Sequence, residues 1–212
     1  CLDIAVRQRL QKDILQWHHS VPGTTVHVTH DGTEAMRMAD QIAVMDRGRV
    51  IQVGSPEQVY DQPQTIAVAK AIGSPTMNWL QAELVDGVIQ IDDRVDVTAG
   101  EALRVDAPDG PVVVGLRPNA FRIWCDRGGD SYGRGFAFKA AMQDCRAVEE
   151  SNEVVLSANG WRFVAVFDRA GASIGGSNGS SVSNDFSLWV PAASLHVFSL
   201  LTEQRLNLRD VG

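Results

Sequence analysis

No run of apolar residues in this chain approaches the roughly 20 needed to cross a bilayer, and no basic stretch followed by an apolar one opens it as a secretory leader would. On sequence alone we therefore expect a soluble, cytosolic protein whose membrane association comes through a partner. Cysteine is scarce: Cys1, Cys125 and Cys145 form no C-x-x-C pair and cannot all be bridged to one another, so reduced, structural or incidental thiols are expected. A basic excess is missing too. The formal net charge is −7; residues 1–80 hold 7 basic and 8 acidic side chains and residues 81–212 hold 12 and 18, so the second part carries −6 of it. A surface of that sign repels phosphate backbones, which excludes nucleic acid as an expected partner. No solenoid-type repeat is present.

What is present is an ordinary globular composition, 44% hydrophobic and 21% charged, over 212 residues, enough for one large domain or two small ones. Apolar positions Ile4, Leu10, Ile14, Leu15 and Trp17 fall broadly at helical spacing, with Asp3 placed as an N-cap. Val21-Pro22-Gly23 breaks that helix, and the β-branched stretch Thr24 to Val28 predicts a buried strand. A helix over 32–40 and a strand from Gln41 to Met45 follow. Asp46-Arg47-Gly48-Arg49 predicts a tight hairpin into Val50 to Val53. Ser55-Pro56-Glu57 opens a short helix ending near Tyr60-Asp61, and Thr65 to Ile72 makes another before the boundary at Gly73-Ser74-Pro75.

Beyond Trp79 the texture changes to brief apolar runs between turn residues. They are Leu84-Val85, Val88 to Ile91, Val95 to Val97, Leu103 to Val105, Val112 to Leu116, Phe121 to Trp124, Phe136 to Ala140, Val154 to Leu156, Phe163 to Phe167 and Leu188 to Val190. Strands of that length at short spacing predict a small barrel or two, interrupted by long Gly/Ser/Asp loops over Asp126 to Gly135 and Gly171 to Asn184.

The chemistry-bearing residues sit early. His30 ends the predicted strand and precedes a helix, so its imidazole belongs at a sheet rim beside a helix N-terminus, where anions are favoured. Taken alone, such a histidine also reads as a satisfied structural residue. The surrounding Val28 to Ala39, VTHDGTEAMRMA, followed by Asp40 to Val50, resembles the switch-histidine segment of the ATP-binding subunits of ABC transporters. The resemblance implies that His30 senses the terminal phosphate of ATP and helps hold the attacking water, a positional and electrostatic contribution to phosphoryl transfer. Leu2-Asp3 resembles the D-loop of the same family, which makes Asp3 a residue of the dimer interface as well as a plain N-cap; Cys1 stands there where a small polar residue is usual.

Gln52-Val53-Gly54-Ser55-Pro56, Tyr60, Pro63 and Ile72-Gly73-Ser74-Pro75 with Met77-Asn78 look like the sugar-importer branch, including maltose-type and glycerol-phosphate-type subunits. Val114-Gly115-Leu116-Arg117-Pro118 resembles the Gly-x-Arg-Pro motif of their C-terminal oligonucleotide-binding-like (TOBE-type) regulatory domain, with Asn119 in place of the usual glutamate. Arg117 also reads as an arginine tying a β-turn to a neighbouring carboxylate. The implied fold is α+β overall: residues 1–75 as a C-terminal remnant of an α/β nucleotide-binding domain, residues 76–212 as an all-β barrel regulatory domain.

The phosphate-cradling loop G-x-x-x-x-G-K-[ST] occurs nowhere, nor does the Leu-Ser-Gly-Gly-Gln signature, and the strand with the magnesium-binding aspartate and catalytic glutamate would end before Cys1. The chain alone is therefore expected neither to hydrolyse ATP nor to bind it tightly. The resemblance implies that the intact subunit takes ATP and Mg2+, acts as a homodimer on the cytoplasmic face of the membrane, couples hydrolysis to permease subunits for sugars or related solutes, and has a β domain open to a cytosolic regulator. The alternative is a non-enzymatic β module that dimerises, regulates or binds a small ligand. No metal site is expected: His27 and His30 would point to opposite faces of a strand, and His18 and His19 to different sides of a helix. Gly128, Gly133 and Gly135 form no phosphate fingerprint.

Overall fold

Helix α1 (Ile4–Ser20) opens the described part of the chain, which in this computed structural model comprises residues 4–91, 98–99, 103–123, 134–148, 151–158, 160–168 and 185–208. Two units separate by contact, Cys1–Ser74 and Pro75–Gly212. The first continues with α2 (Gly32–Met38), β1 (Ile42–Asp46), β2 (Arg49–Gly54), α3 (Pro56–Asp61) and α4 (Ile66–Ala71). Strands β1 and β2 form a two-stranded antiparallel sheet in which Asp46 faces Arg49. Arg47 (φ 46) and Gly48 (φ 78) between them are both left-handed, the geometry a two-residue hairpin requires.

Local chemistry sets the next two helices. Ser55 Oγ accepts the Gln58 N–H while Gln58 Oε1 accepts the Ser55 N–H, a capping box with Pro56 in the first turn; Thr65 caps α4 by accepting from the Val68 N–H. Buried Gln52 ties β2 to the loop after α3, donating to the Gln62 carbonyl at 3.0 Å and accepting the Gln64 N–H at 2.8 Å. The core of this unit is Ile42, Val44, Val59, Val68 and Ile72, with Ala35, Met36, Ala39, Ile51 and Tyr60 packed on it.

The strand expected over Thr24 to Val28 does not form. Residues 22–29 are irregular and exposed or nearly so, with Val26 85% and Val28 89% accessible. Propensity alone does not make a strand, because its backbone groups need a neighbour to pair with, and no described strand runs beside this one.

The second unit contains β3 (Asn78–Val85), β4 (Val88–Ile91), β5 (Thr98–Ala99), β6 (Gly110–Leu116), β7 (Arg122–Ile123), β8 (Gly135–Val148), β9 (Ser151–Ala158), β10 (Trp161–Asp168), β11 (Asp185–Pro191), β12 (Leu195–Ser199) and β13 (Arg205–Leu206). One antiparallel sheet runs β13-β12-β6-β3-β4; the other runs β10-β9-β8-β11-β7, with β5 on β8. Both contribute to a single apolar core. Leu80, Leu84, Val114, Leu116 and Val197 come from the first, and Phe136, Phe138, Leu156, Phe163 and Leu188 from the second. Phe121, Phe138 and Phe163 pack with ring centroids 5.4–6.2 Å apart. The whole is thus mixed helix and strand with sheet predominating.

Two sequence readings change here. Leu103 to Val105 supplies only isolated bridges at Arg104 and Val105, and β8 is far longer than Phe136 to Ala140, bending at a register shift between Met142 and Asp144. The runs Val95 to Val97 and most of both Gly-rich loops lie outside the described residues. Strand β12, absent from the sequence reading, is buried at Leu195, His196, Val197 and Phe198.

His196 carries a pH prediction. It is 5% exposed, and its pKa is lowered to about 3, first by burial and then by the charges of Arg205 and Arg117. The folded state therefore holds it neutral, while the unfolded chain takes a proton below about 6.5. Stability is complete above that pH and falls as the pH drops toward the folded value. Between pH 6.5 and 5 the loss from this group is about 1.6 kcal/mol by linkage. Urea titrations at both pH values should show that loss in the wild type and little of it in His196→Gln; equal losses would contradict the assignment.

Candidate functional site

His30 is exposed and ends the irregular segment that leads into α2. The next residue, Asp31, is extended (φ −95, ψ 105) and caps the helix, its Oδ1 accepting the Thr33 N–H at 2.9 Å and the Glu34 N–H at 3.2 Å. This corrects the expectation of a helix end open to anions. α2 has only 7 residues, and two of its free N–H groups already serve the Asp31 carboxylate.

The residue before His30 is held as firmly. Thr29 Oγ1 donates to Glu34 Oε2 at 2.5 Å and accepts the Asp31 N–H at 3.0 Å. Glu34 Oε1 accepts from Gln11 Nε2 at 2.9 Å and lies 3.5 Å from His27 Nε2. The hydrogen bonds from Thr29 and then Gln11 lower the Glu34 pKa and keep it a carboxylate. Gly32 completes the arrangement, because a Cβ there would stand 2.4 Å from the Ala71 carbonyl oxygen. The start of α2 therefore seats directly on the backbone at the end of α4.

His27 and His30 do not occupy opposite faces of a strand, since none forms; His27 turns toward Glu34 instead. Among the described residues no three His, Cys, Asp or Glu side chains gather as a metal site would require. Asp3 lies outside the described residues, as do Cys1 and Leu2. Cys145 is a free, exposed thiol on β8.

In the second unit the motif residues face inward. Gly115, on β6, lies opposite Trp79 on one side and His196 on the other, and a Cβ there would come 2.2 Å from Met77 Sδ and 3.2 Å from the Trp79 ring. Arg117 is 3% exposed and begins a 3-10 turn, Pro118–Ala120, in which the Ala120 N–H donates to its carbonyl at 2.9 Å. Buried Pro118 takes the first position of that turn, where a missing N–H does no harm.

Asn78 has a role that sequence reasoning missed. Its Nδ2 donates to the Leu116 carbonyl at 3.1 Å and the Val164 carbonyl at 2.8 Å, and its Oδ1 accepts the Val164 N–H at 2.7 Å. The Met77-Asn78 piece and the Gly115-to-Pro118 piece, some 40 residues apart, are thus interlocking parts of one structural joint. A surface pocket of about 360 Å3 is lined by Asp144, Arg146, Glu153, Val155, Arg162 and Val164, none of which the sequence marked as a functional residue.

No protein-family model matches the chain. Curated relatives do. It is 36% identical over 129 residues to the sn-glycerol-3-phosphate import ATP-binding protein UgpC of Jannaschia sp. (strain CCS1), covering 61% of this chain and 36% of that one. It is 30% identical over 182 residues to UgpC of Psychromonas ingrahamii (strain DSM 17664 / CCUG 51855 / 37), covering 82% and 48%. It is also 36% identical over 121 residues to the oligosaccharides import ATP-binding protein MsmX of Bacillus subtilis (strain 168), covering 55% and 33%. Among solved structures, the cytoplasmic molybdate-binding protein ModG, with molybdate bound, aligns at TM-score 0.41 and 15% identity over 57% of this chain and 94% of that one, too distant a likeness to carry an argument. The chain is thus similar to ATP-binding subunits of sugar and glycerol-phosphate ABC importers, and it spans between about a third and a half of the length of these three.

Proposed function

We propose that this chain is the C-terminal part of the ATP-hydrolysing subunit of an ABC importer for sugars or related solutes. The observation that carries the reading is the geometry around His30: an exposed imidazole on a turn whose neighbours on both sides, Thr29 and Asp31, are fixed by hydrogen bonds. A side chain so placed reaches outward from a held backbone, as a residue that meets the terminal phosphate of ATP and orients the attacking water must. Substrate ATP and the accompanying Mg2+ need donors beyond those described, since one imidazole neither cradles a triphosphate nor holds a cation. Those donors belong to the intact subunit, and Asp3 would act beside them at its dimer interface.

In this reading residues 1–75 complete the nucleotide-binding domain and residues 76–212 form an oligonucleotide-binding-like barrel that regulates it. The intact subunit works as a homodimer, peripheral on the cytoplasmic face, and moves permease subunits as ATP is hydrolysed. No helix among the described residues is long and apolar enough to cross a membrane, which fits attachment through the permease. Gly115, Arg117 and Pro118 maintain the β unit, and any regulator meets its surface. Steady-state ATP hydrolysis by this chain and by the intact subunit, measured side by side, tests the proposal. The chain alone should stay at the blank and the subunit should turn over; turnover by the chain that His30→Ala abolishes would overturn the division of labour.

A further inference from the structure

Glu34 is the node of the contacts around His30. It sits on the first turn of α2, reaches back to Thr29 with one carboxylate oxygen and takes Gln11 of α1 with the other. Thr29 in turn holds the Asp31 N–H, and Asp31 caps the helix that carries Glu34. The chain thus closes a ring of hydrogen bonds, Glu34 to Thr29 to Asp31 and back to the Glu34 N–H, with His30 at its outward point. We infer that Glu34 is a positioning residue for His30, and that its bond to Gln11 ties the His30 turn to the helix that follows Asp3. The inference rests on the reading of His30 given above.

The physical content is a restriction on the turn. Without the ring, residues 29–31 belong to an irregular, partly exposed segment that is free to sample other conformations, and the imidazole is poised for only part of the time. Hydrogen bonds to an ionised acceptor are stronger than neutral ones, which is why the carboxylate suits this node better than an amide. The lowered pKa of Glu34 keeps that acceptor charged at neutral pH. Gln11 lies 23 residues from Glu34 and about two turns into α1, so a shift of that helix would be felt at the His30 turn.

Two measurements test this. In the 212-residue chain, amide hydrogen exchange of Asp31 should quicken about tenfold in Glu34→Ala and in Thr29→Val, as expected for losing one hydrogen bond of roughly 1.4 kcal/mol, and less in Glu34→Gln, which keeps an acceptor. Unchanged exchange in both of the first two would overturn the positioning role. In the intact subunit, Glu34→Ala should lower kcat about tenfold with KM for ATP unchanged, Glu34→Gln should recover most of it, and Gln11→Ala should fall between. The double variant with His30→Ala should be no slower than His30→Ala alone, because Glu34 acts only through His30. Additive losses, or a Glu34→Ala enzyme at full kcat while His30→Ala is impaired, would contradict the inference and leave the reading of His30 standing. Full kcat in His30→Ala would instead overturn that reading and the catalytic half of this inference with it, while the exchange rates would still decide whether Glu34 holds the turn.

Discussion

Replacing His30 by alanine in the intact subunit should lower kcat for ATP hydrolysis by about 100-fold or more, the loss typical of removing one preorganised group from a developing charge, while KM for ATP moves by no more than about threefold. The split follows from where the residue sits. His30 is exposed and contributes no core contact, so its removal leaves the packing around Ile42, Val44, Val59, Val68 and Ile72 untouched. It makes no helix cap either, since Asp31 does that. Under the proposed reading, ground-state binding of the nucleotide would depend on a phosphate cradle outside these residues, and only the terminal phosphate and the attacking water would lose a partner. A parallel fall in kcat and thermal stability would instead mark His30 as structural.

The largest stability effect is expected at Asn78. Asn78→Ala removes all three hydrogen bonds through which this side chain joins β3 and β6 to the outer edge of β10. The peptide groups of Val164 and the Leu116 carbonyl lose their partner within a site where Asn78 itself is 9% exposed. At roughly 1 kcal/mol for each bond, and more where the remaining group is shut off from water, the loss is about 3 kcal/mol. That corresponds to a fall of about 6–12 °C in the melting of this unit by the scaling for chains of this size. Asn78→Asp separates hydrogen bonding from packing: the shape is the same, but a carboxylate offers no donor to the two carbonyls, so it should be at least as damaging as alanine. A loss below about 0.5 kcal/mol in both variants, within the range of an ordinary surface change, would show that the joint is unimportant.

Much of the first unit was legible from residues four or fewer apart. Ser55, Pro56 and Glu57 mark a helix start, Thr65 another, and Asp46-Arg47-Gly48-Arg49 a hairpin, because each feature is closed by its own neighbours, although the capping-box part of Gln58 emerges only in the structure. The Thr24 to Val28 strand failed for the opposite reason, since a strand depends on a partner distant in sequence. β12 was missed because His196, a polar residue inside an apolar run, breaks the pattern by which buried strands are recognised; the structure buries it all the same. His30 stands out in the sequence through its motif, whereas Glu34, whose carboxylate bonds Thr29 and Gln11, is only one more letter of that motif. The partners of Asn78 lie 38 and 86 residues away, and no local pattern announces them. The Gly115 to Pro118 stretch is legible as a resemblance to a motif of a regulatory domain, and the structure adds the packing reason for its glycine, which leaves room for Met77 and Trp79.

The central claim is that these residues work as part of a longer ATP-hydrolysing subunit. The most direct test is the intact mass of the protein recovered from its native cells through a tag on the C-terminal tail. The account predicts a mass well above the 23.0 kDa of this chain, and ATP hydrolysis in the purified species. A mass of 23.0 kDa would contradict it and make the non-enzymatic β module the leading description.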